Sequence, residues 1–501
     1  MDSSTPVMIG VGTAYADWPD SRLSGELSGE VREPADLMVR ATLDALEDAG
    51  ATFGPKAILD LVDQVAVPKG NWGYPDPARL ITDRIAREGA RTVLAELGIS
   101  QQSLINDALV AVRSGECRVA MVIGGEAKKS ALGAERSGTT PFETDQGSCE
   151  PDILIKPQFP IVSPMEISAG IWHPVQQYAM IENSLRHHEA VDADGLDSSL
   201  DDIASLWERF NRVARTDPLA AFPAPMTAVE IASPSKANRP LAWPYNKWHS
   251  TQWAVNQAVC LIFTTLGTAR QLGVAPERII FPVACLVSSY GVPLVRRRDP
   301  WRWPAIQVLG NQASLSAGIE LSEIPIVEIY SCFPAAVRVQ QRELGLDLNG
   351  TPTFLGGMAF AGGPFNNFAL QATARIAKRL RESPGIHGMV TTVSGMLTKA
   401  GLAIWKAGTG GDPPLVCDMA QECDQATEVC EEANDYSGTG KVVTFTTTYD
   451  GSDPTKVIVI AETPDGSRCV AISDDHSLAC DSLNGGLVGE TVSVQAGKFF
   501  V

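Results

Sequence analysis

The sequence predicts an α/β protein built from two copies of a strand and helix unit, closed at its C-terminal end by a small antiparallel β-barrel. Three observations carry this. Short apolar strand runs alternate with amphipathic helical stretches before residue 127 and again after residue 251. Two helix-then-strand pairs mirror each other, residues 103–114 with 118–123 and residues 368–381 with 388–393, which indicates an internal duplication. After a Gly- and Pro-rich linker at 406–414 the alternation stops and short strand runs separated by turn residues take over.

Taken in order, residues 7–12 read as a buried strand, and 35–50 as an amphipathic helix that glycine stops. Strand 62–67, a helix around 79–88, strand 92–97, helix 103–114 closed by Gly115 and strand 118–123 complete a first half, residues 1–127. Residues 128–250 differ: Pro157, Pro160, Pro164, Pro174, Pro223, Pro225 and Pro234 punctuate them and strand runs are scarce, as in a loop domain inserted over one face. The second half, 251–408, begins with a predicted helix over 251–272, then strand 278–286, the region 301–319, strand 324–329, helix 336–344, a glycine-rich loop, helix 368–381 and strand 388–393. Two sheets sharing a helical layer would accommodate both halves. Residues 412–435 hold eight acidic side chains and no Lys or Arg, a pattern of solvated surface that repels phosphates. In the last domain, 415–501, runs at 442–449, 456–462, 468–472 and 491–495 are strands, with Asp465-Gly466 as a turn.

A formal net charge of -19, with no compensating basic stripe, argues against a nucleic-acid or anionic-membrane binder. No apolar run reaches the roughly 20 residues of a membrane span, and the N-terminus has no basic stretch leading into a long apolar one, so the expectation is a cytoplasmic protein. Ten cysteines are scattered without a C-x-x-C pair, so no zinc or redox site is expected and most should be small buried apolar residues. There is no G-x-S-x-G, Walker loop or dinucleotide fingerprint.

The most informative stretch is residues 356–367, where Gly356, Gly357, Gly362 and Gly363 precede Pro364 and a helix start. Asn366 or Asn367 can cap that helix; Phe368, Ala372, Ile376 and Leu380 form its apolar face, and Arg375, Lys378 and Arg379 lie toward its negative end. A glycine turn feeding a helix N-terminus can present N–H groups to an anion or acyl oxygen. It can equally be a tight connection in an α/β fold.

With residues 114–126 and the Glu328-Ile329-Tyr330-Ser331-Cys332-Phe333 stretch, this Gly362-Gly363-Pro364 loop resembles the thiolase superfamily, most closely its sterol-carrier-thiolase branch. The resemblance spans residues 7–405. It implies a duplicated, five-layered αβαβα fold with a loop domain, and the terminal barrel resembles an OB-type domain, as in the thiolase-like protein type 1 group. The chemistry it implies needs a nucleophilic cysteine at a helix N-terminus, a His and an Asn or His polarising thioester oxygens, and a second cysteine moving protons. The positions matching these in frame are Gly98, Tyr330, Gly363 and Val393, with Ser394 beside the last. No nucleophile, histidine or proton shuttle stands at any of them, which points to a retained scaffold without thiolase chemistry. Thiolases also dimerise through the strand that falls here at 92–97; Glu96 and Ala95 weaken it as a pairing edge, so a monomer is expected.

Other residues were weighed against their ordinary packing roles. Cys332 is a substitute nucleophile only if a base reaches it; a cysteine just after a buried strand is usually core. His187 and His188 beside Glu189 suggest a metal, yet adjacent helical residues diverge, which favours a solvated face and no metal site. Arg296, Arg297 and Arg298, with Trp301, Arg302 and Trp303, form the one basic-aromatic cluster, able to hold the phosphates of a coenzyme A thioester or to pair with the acidic excess. The ligand-binding candidates are therefore Arg296, Arg297, Arg298, Gly362 and Gly363. The functional expectations are a thiolase-fold protein without thiolase activity that binds an acyl-CoA or lipid-like ligand, or a protein partner through the barrel. An acyl-CoA acyltransferase of lipid metabolism with a non-standard nucleophile, and a scaffold subunit for an active thiolase, are the alternatives. No cofactor beyond a coenzyme A thioester as ligand is implied.

Overall fold

The computed structural model describes residues 2–16, 33–192, 198–408, 412–484 and 486–501; part of the predicted linker, 409–411, lies outside them. The strand Pro6–Tyr15, the helix Pro34–Asp48, and the strands Val62–Pro68, Arg91–Ala95 and Val119–Ala127 follow the predicted order. Helices Gln101–Ser114 and Phe368–Glu382 each lead into a buried strand, Val119–Ala127 and His387–Ser394, as the mirrored pairs predict.

The predicted helix over 251–272 is instead a long strand, Asn256–Thr265, with only a short helix, Leu266–Gln271, after it. The reason is burial on both faces: Ala258 through Phe263 are all 0% exposed between two neighbouring strands, so the run has no polar face whose period could separate strand from helix. The strand Lys399–Ala407 escaped prediction; it pairs antiparallel with His387–Ser394 and with Ile280–Val287. The strands of the two halves do not remain separate sheets by hydrogen bonding. They join in an 11-stranded order: the strand Asn256–Thr265 of the second half lies between Pro6–Tyr15 and Val119–Ala127 of the first, and Met8 pairs with Ile280.

The C-terminal strands close into a barrel. Gly438–Asp450 pairs with Asp453–Glu462, that with Arg468–Ser473, that in parallel with Lys498–Phe500, and that with Thr491–Gln495, which returns to the first strand. One parallel pairing in an otherwise antiparallel five-stranded barrel, with the helix His476–Asp481 between its third and fourth strands, is the connectivity of an OB-type fold. Phe445, Val459, Ala471, Val494 and Phe499 fill its interior. The barrel is docked onto the body: the hairpin Pro240–Ala242 with Tyr245–Asn246 adds to it through Ala242 and Thr448. Asn183 of helix Pro174–Asp192 donates to the carbonyl of Phe445 at 3.0 Å. The acidic segment is not merely solvated, since Leu415–Asp418 adds as a strand beside Ile280–Val287 and Cys423 is fully buried.

Among the described residues no helix is long and apolar enough to cross a membrane. Seven of the ten cysteines, all unpaired, are buried, as small apolar residues would be.

Candidate functional site

The four positions matched to thiolase chemistry converge. Gly98 lies just before helix Gln101–Ser114, and its carbonyl accepts the Lys399 ammonium at 2.8 Å. Lys399 pairs with Ser394, the residue after Val393. Two residues before Val393, Thr391 Oγ1 accepts the N–H of Tyr330 at 2.8 Å. Beyond Tyr330, Ser331 Oγ accepts the N–H of Met358 and the Cys332 carbonyl accepts that of Thr251, the two side chains against which Gly363 packs.

Tyr178, brought in on helix Pro174–Asp192, is 1% exposed and stacks on Phe333 with ring centroids 4.9 Å apart. Its hydroxyl accepts the N–H of Leu397 at 3.2 Å and donates to the carbonyl of Gly395 at 3.4 Å, so it anchors the turn that follows Val393. Burial pushes its pKa well above the phenolic range, keeping it neutral. Tyr330 packs edge-on against Phe368 and is likewise held neutral by burial.

The glycines have a packing explanation. A Cβ on Gly363 would lie 2.2 Å from Thr251 Cγ2, and one on Gly362 2.8 Å from Gln257 Nε2. Gly98 has φ of 97°, a conformation that disfavours any other residue, and a Cβ there would meet Pro157 at 3.2 Å. Asn367 stands at the N-cap of the following helix, as one of the two expected residues, but its side chain makes no capping bond. The helix N-terminus is taken by Gln101 from the other central helix, whose Oε1 accepts the N–H groups of Ala369 at 3.0 Å and Leu370 at 3.3 Å. Two of the donors that a ligand would use are thereby occupied. Gln101 was missed by sequence reasoning because a cap from 268 residues away leaves no local pattern.

The three arginines are separated by environment. Arg297 is buried; its guanidinium donates to the carbonyls of Val292 at 3.1 Å and Met396 at 2.7 Å, and its Nη1 has no partner. Burial lowers its pKa to about 10. Arg298 pairs with Glu462 of the barrel at 2.8 Å, and Arg296 donates to the carbonyl of Cys430 at 3.4 Å. The cluster thus clamps the acidic segment and the barrel to the body. Beside Arg297, Arg302, Leu397 and Thr398 a cavity of about 100 Å³ remains.

Cys332 is buried, and its thiol is pushed up to about 12, beside Tyr178 rather than a base. Glu189 pairs with Arg338 and Arg342, while His188 stacks on Trp301 at 3.7 Å. Those two side chains do not converge on a common point. Among the described residues no group of His, Cys, Asp and Glu is arranged to hold a metal.

Comparisons with known proteins address the fold. Residues 419–498 match the family described as thiolase-like protein type 1 additional C-terminal domain. The whole chain superposes on the whole of a monomeric SCP2-thiolase like protein type 1 from Mycobacterium smegmatis, with a TM-score of 0.82 at 23% identity, each chain 100% covered. The dimeric peroxisomal thiolase of Saccharomyces cerevisiae matches at 14% identity with a TM-score of 0.57, covering 81% of this chain and 98% of that one. Human mitochondrial 3-ketoacyl-CoA thiolase gives 14% and 0.55, covering 81% and 100%. A search of curated protein sequences finds no match. The protein therefore has a thiolase-like fold carrying the additional C-terminal domain of the type 1 thiolase-like proteins.

Proposed function

We propose that this protein is a monomeric, cytoplasmic thiolase-fold protein that has lost thiolase chemistry and works by binding an acyl-CoA or lipid-like ligand, or a protein partner through its barrel. The observation that carries the reading is the closure of the histidine position. Gly363 has no side chain, and Thr251 and Met358 occupy the volume in which one would begin. Tyr178, stacked on Phe333 and bonded to the turn after Val393, supports it further, since a thioester carbonyl needs room beside both a nucleophile and its oxyanion donors. The 100 Å³ cavity by Arg297 is smaller than the roughly 300 Å³ at which ligand pockets begin. The nucleotide of coenzyme A would have to lie outside it.

The test is calorimetric titration with coenzyme A, acetyl-CoA and a long-chain 3-ketoacyl-CoA, with thiolysis followed in the same samples. No turnover is expected from the natural protein or from a Gly98→Cys, Gly363→His variant. Turnover by the natural protein would overturn the reading. Binding without turnover supports a thioester ligand, and absence of binding directs attention to partners of the barrel.

One observation favours the acyltransferase alternative. Cys480 Sγ lies 3.8 Å from His476 Nδ1, and His476 Nε2 lies 3.1 Å from Asp453 Oδ1, a nucleophile, base and orienting carboxylate in sequence. The group sits on open surface, with His476 and Asp453 more than 60% exposed, and the sulfur is almost equally far from both ring nitrogens. In this reading the Cys480 thiolate attacks the thioester carbonyl and coenzyme A leaves as its thiolate. Intact-mass analysis after incubation with acetyl-CoA decides it, an adduct on Cys480 that is lost in His476→Ala being the outcome in its favour.

A further inference from the structure

Where the barrel meets the intervening segment, a cavity of about 290 Å³ remains. Ile203 comes to it from helix Ser198–Ala214, Trp243 and Tyr245 from the docked hairpin, and Tyr449 and Leu483 from the barrel. Three prolines extend the apolar wall, and no charged residue lines it. It exists only because the two parts meet. An aromatic stack, Tyr245 on Phe333 at 5.5 Å and Phe333 on Tyr178, runs from its wall to the turn after Val393.

One polar group in this lining stands out. His249 is 4% exposed, and its Nδ1 accepts the N–H of Asn246 at 3.0 Å. That bond places the imidazole proton on Nε2. Burial lowers the pKa to about 4, so the ring is neutral at ordinary pH. Asn246 is otherwise engaged, its amide donating to the carbonyl of Ala232 at 2.7 Å. Among the described residues no side chain or carbonyl accepts from the Nε2–H of His249, and this nitrogen is not one of the fully enclosed unpaired atoms. A donor that the protein leaves without an acceptor in an apolar lining can bond an oxygen that enters the cavity.

We propose that this cavity binds a neutral, largely apolar molecule bearing one oxygen acceptor, a carbonyl or hydroxyl, which takes the His249 Nε2–H while its hydrocarbon part fills the space between Ile203, Tyr245 and Tyr449. The absence of charge in the lining excludes a carboxylate or phosphate as the buried end, because a buried anion without a cation is strongly disfavoured. The volume is at the small end of ligand sites, which suits a single short chain or one or two rings. The site gives the additional domain a role as one wall of a binding pocket, and it does not depend on what became of the thiolase positions.

The experiment uses the full chain and the neutral fluorophore N-phenyl-1-naphthylamine, displaced by 2-nonanone or by nonanoate. Fluorescence should rise on probe binding, 2-nonanone should displace it, and nonanoate should do so at least tenfold less well. Ala232→Trp, at the exposed rim, should weaken the probe at least tenfold. His249→Phe should weaken the ketone about fivefold and leave the probe, which has no oxygen acceptor, unchanged. No fluorescence rise, an unaltered probe affinity in Ala232→Trp, or equal displacement by the carboxylate would each overturn the proposal. Should His249→Phe melt at a much lower temperature, the rim variant and the ketone-against-carboxylate comparison still decide it.

Discussion

Glu126 shows how far a single buried group can be pushed. It is 1% exposed at the end of strand Val119–Ala127, and burial raises its pKa to about 8 against the pull of the Asn71 N–H at 2.6 Å and of Lys128 and Lys69, with Glu143 adding to the rise. Because the folded pKa lies above the unfolded 4.5, the folded chain holds a proton that the unfolded chain releases. Its contribution to stability is fully present below 4.5 and is lost as pH rises toward 8. Glu126→Gln keeps the acceptor for Asn71 and removes the titration. Urea unfolding should therefore find the variant more stable than the natural protein at pH 9, by on the order of 3 kcal/mol, with the gap closing near pH 4. A gap independent of pH would show that Glu126 titrates alike in the folded and unfolded chain. At this scale the glycines at 98 and 363 were legible in the sequence, and the structure adds the close contacts that a Cβ at either would make. The place of Tyr178 was not, since nothing in its helix marks it as the residue that anchors the turn after Val393.

The two central helices illustrate what one element does for another. Gln101, in the first turn of one, accepts two N–H groups from the first turn of the other. A Gln101→Ala change leaves both donors buried without a partner, which should cost about 2 kcal/mol in denaturant midpoint at unchanged slope. A loss below about 0.5 kcal/mol would mean that water replaces the amide. Helix periodicity identified both elements, and the strand Asn256–Thr265 was misread because a run buried on two faces has no period to read. The strand Lys399–Ala407, by contrast, is recognisable mainly by its partners, with Gly401 packed against Gln102 and Thr392.

At the scale of the molecule, the edge through which thiolases pair is not free. The strand Ile153–Ile155 lies parallel to Arg91–Ala95, with Ile153, Leu154 and Ile155 opposite Val93, Leu94 and Ala95. Asp152 fastens it, accepting the Thr92 N–H at 2.8 Å and pairing with Arg79 at 3.0 Å. The edge is covered rather than weakened by Glu96, which corrects the reason for expecting a monomer while leaving the expectation in place. Sedimentation should find a monomer over micromolar concentrations. An Ile153→Gly, Leu154→Ser, Ile155→Gly variant should uncover the edge and self-associate with rising concentration. A variant that remains monodisperse would show that something else prevents pairing. The barrel is held as firmly: Arg468, 2% exposed, joins Glu462 at 2.7 Å to the carbonyl of Arg298 at 2.9 Å.

What the chain determined by itself was local or countable: apolar period, glycine and proline punctuation, the order of strands and helices, and the residues standing where chemistry would require others. Those follow from interactions within a few residues and survive without a partner. Tertiary structure decided which surfaces those elements cover. It set Tyr178 against the turn after Val393, assigned the three adjacent arginines to three different environments, laid residues 153–155 along an edge, and placed the His249 imidazole in the lining of the seam between two domains. Each of these depends on contacts between residues far apart in the chain, and such contacts leave no pattern along the sequence from which they could be read.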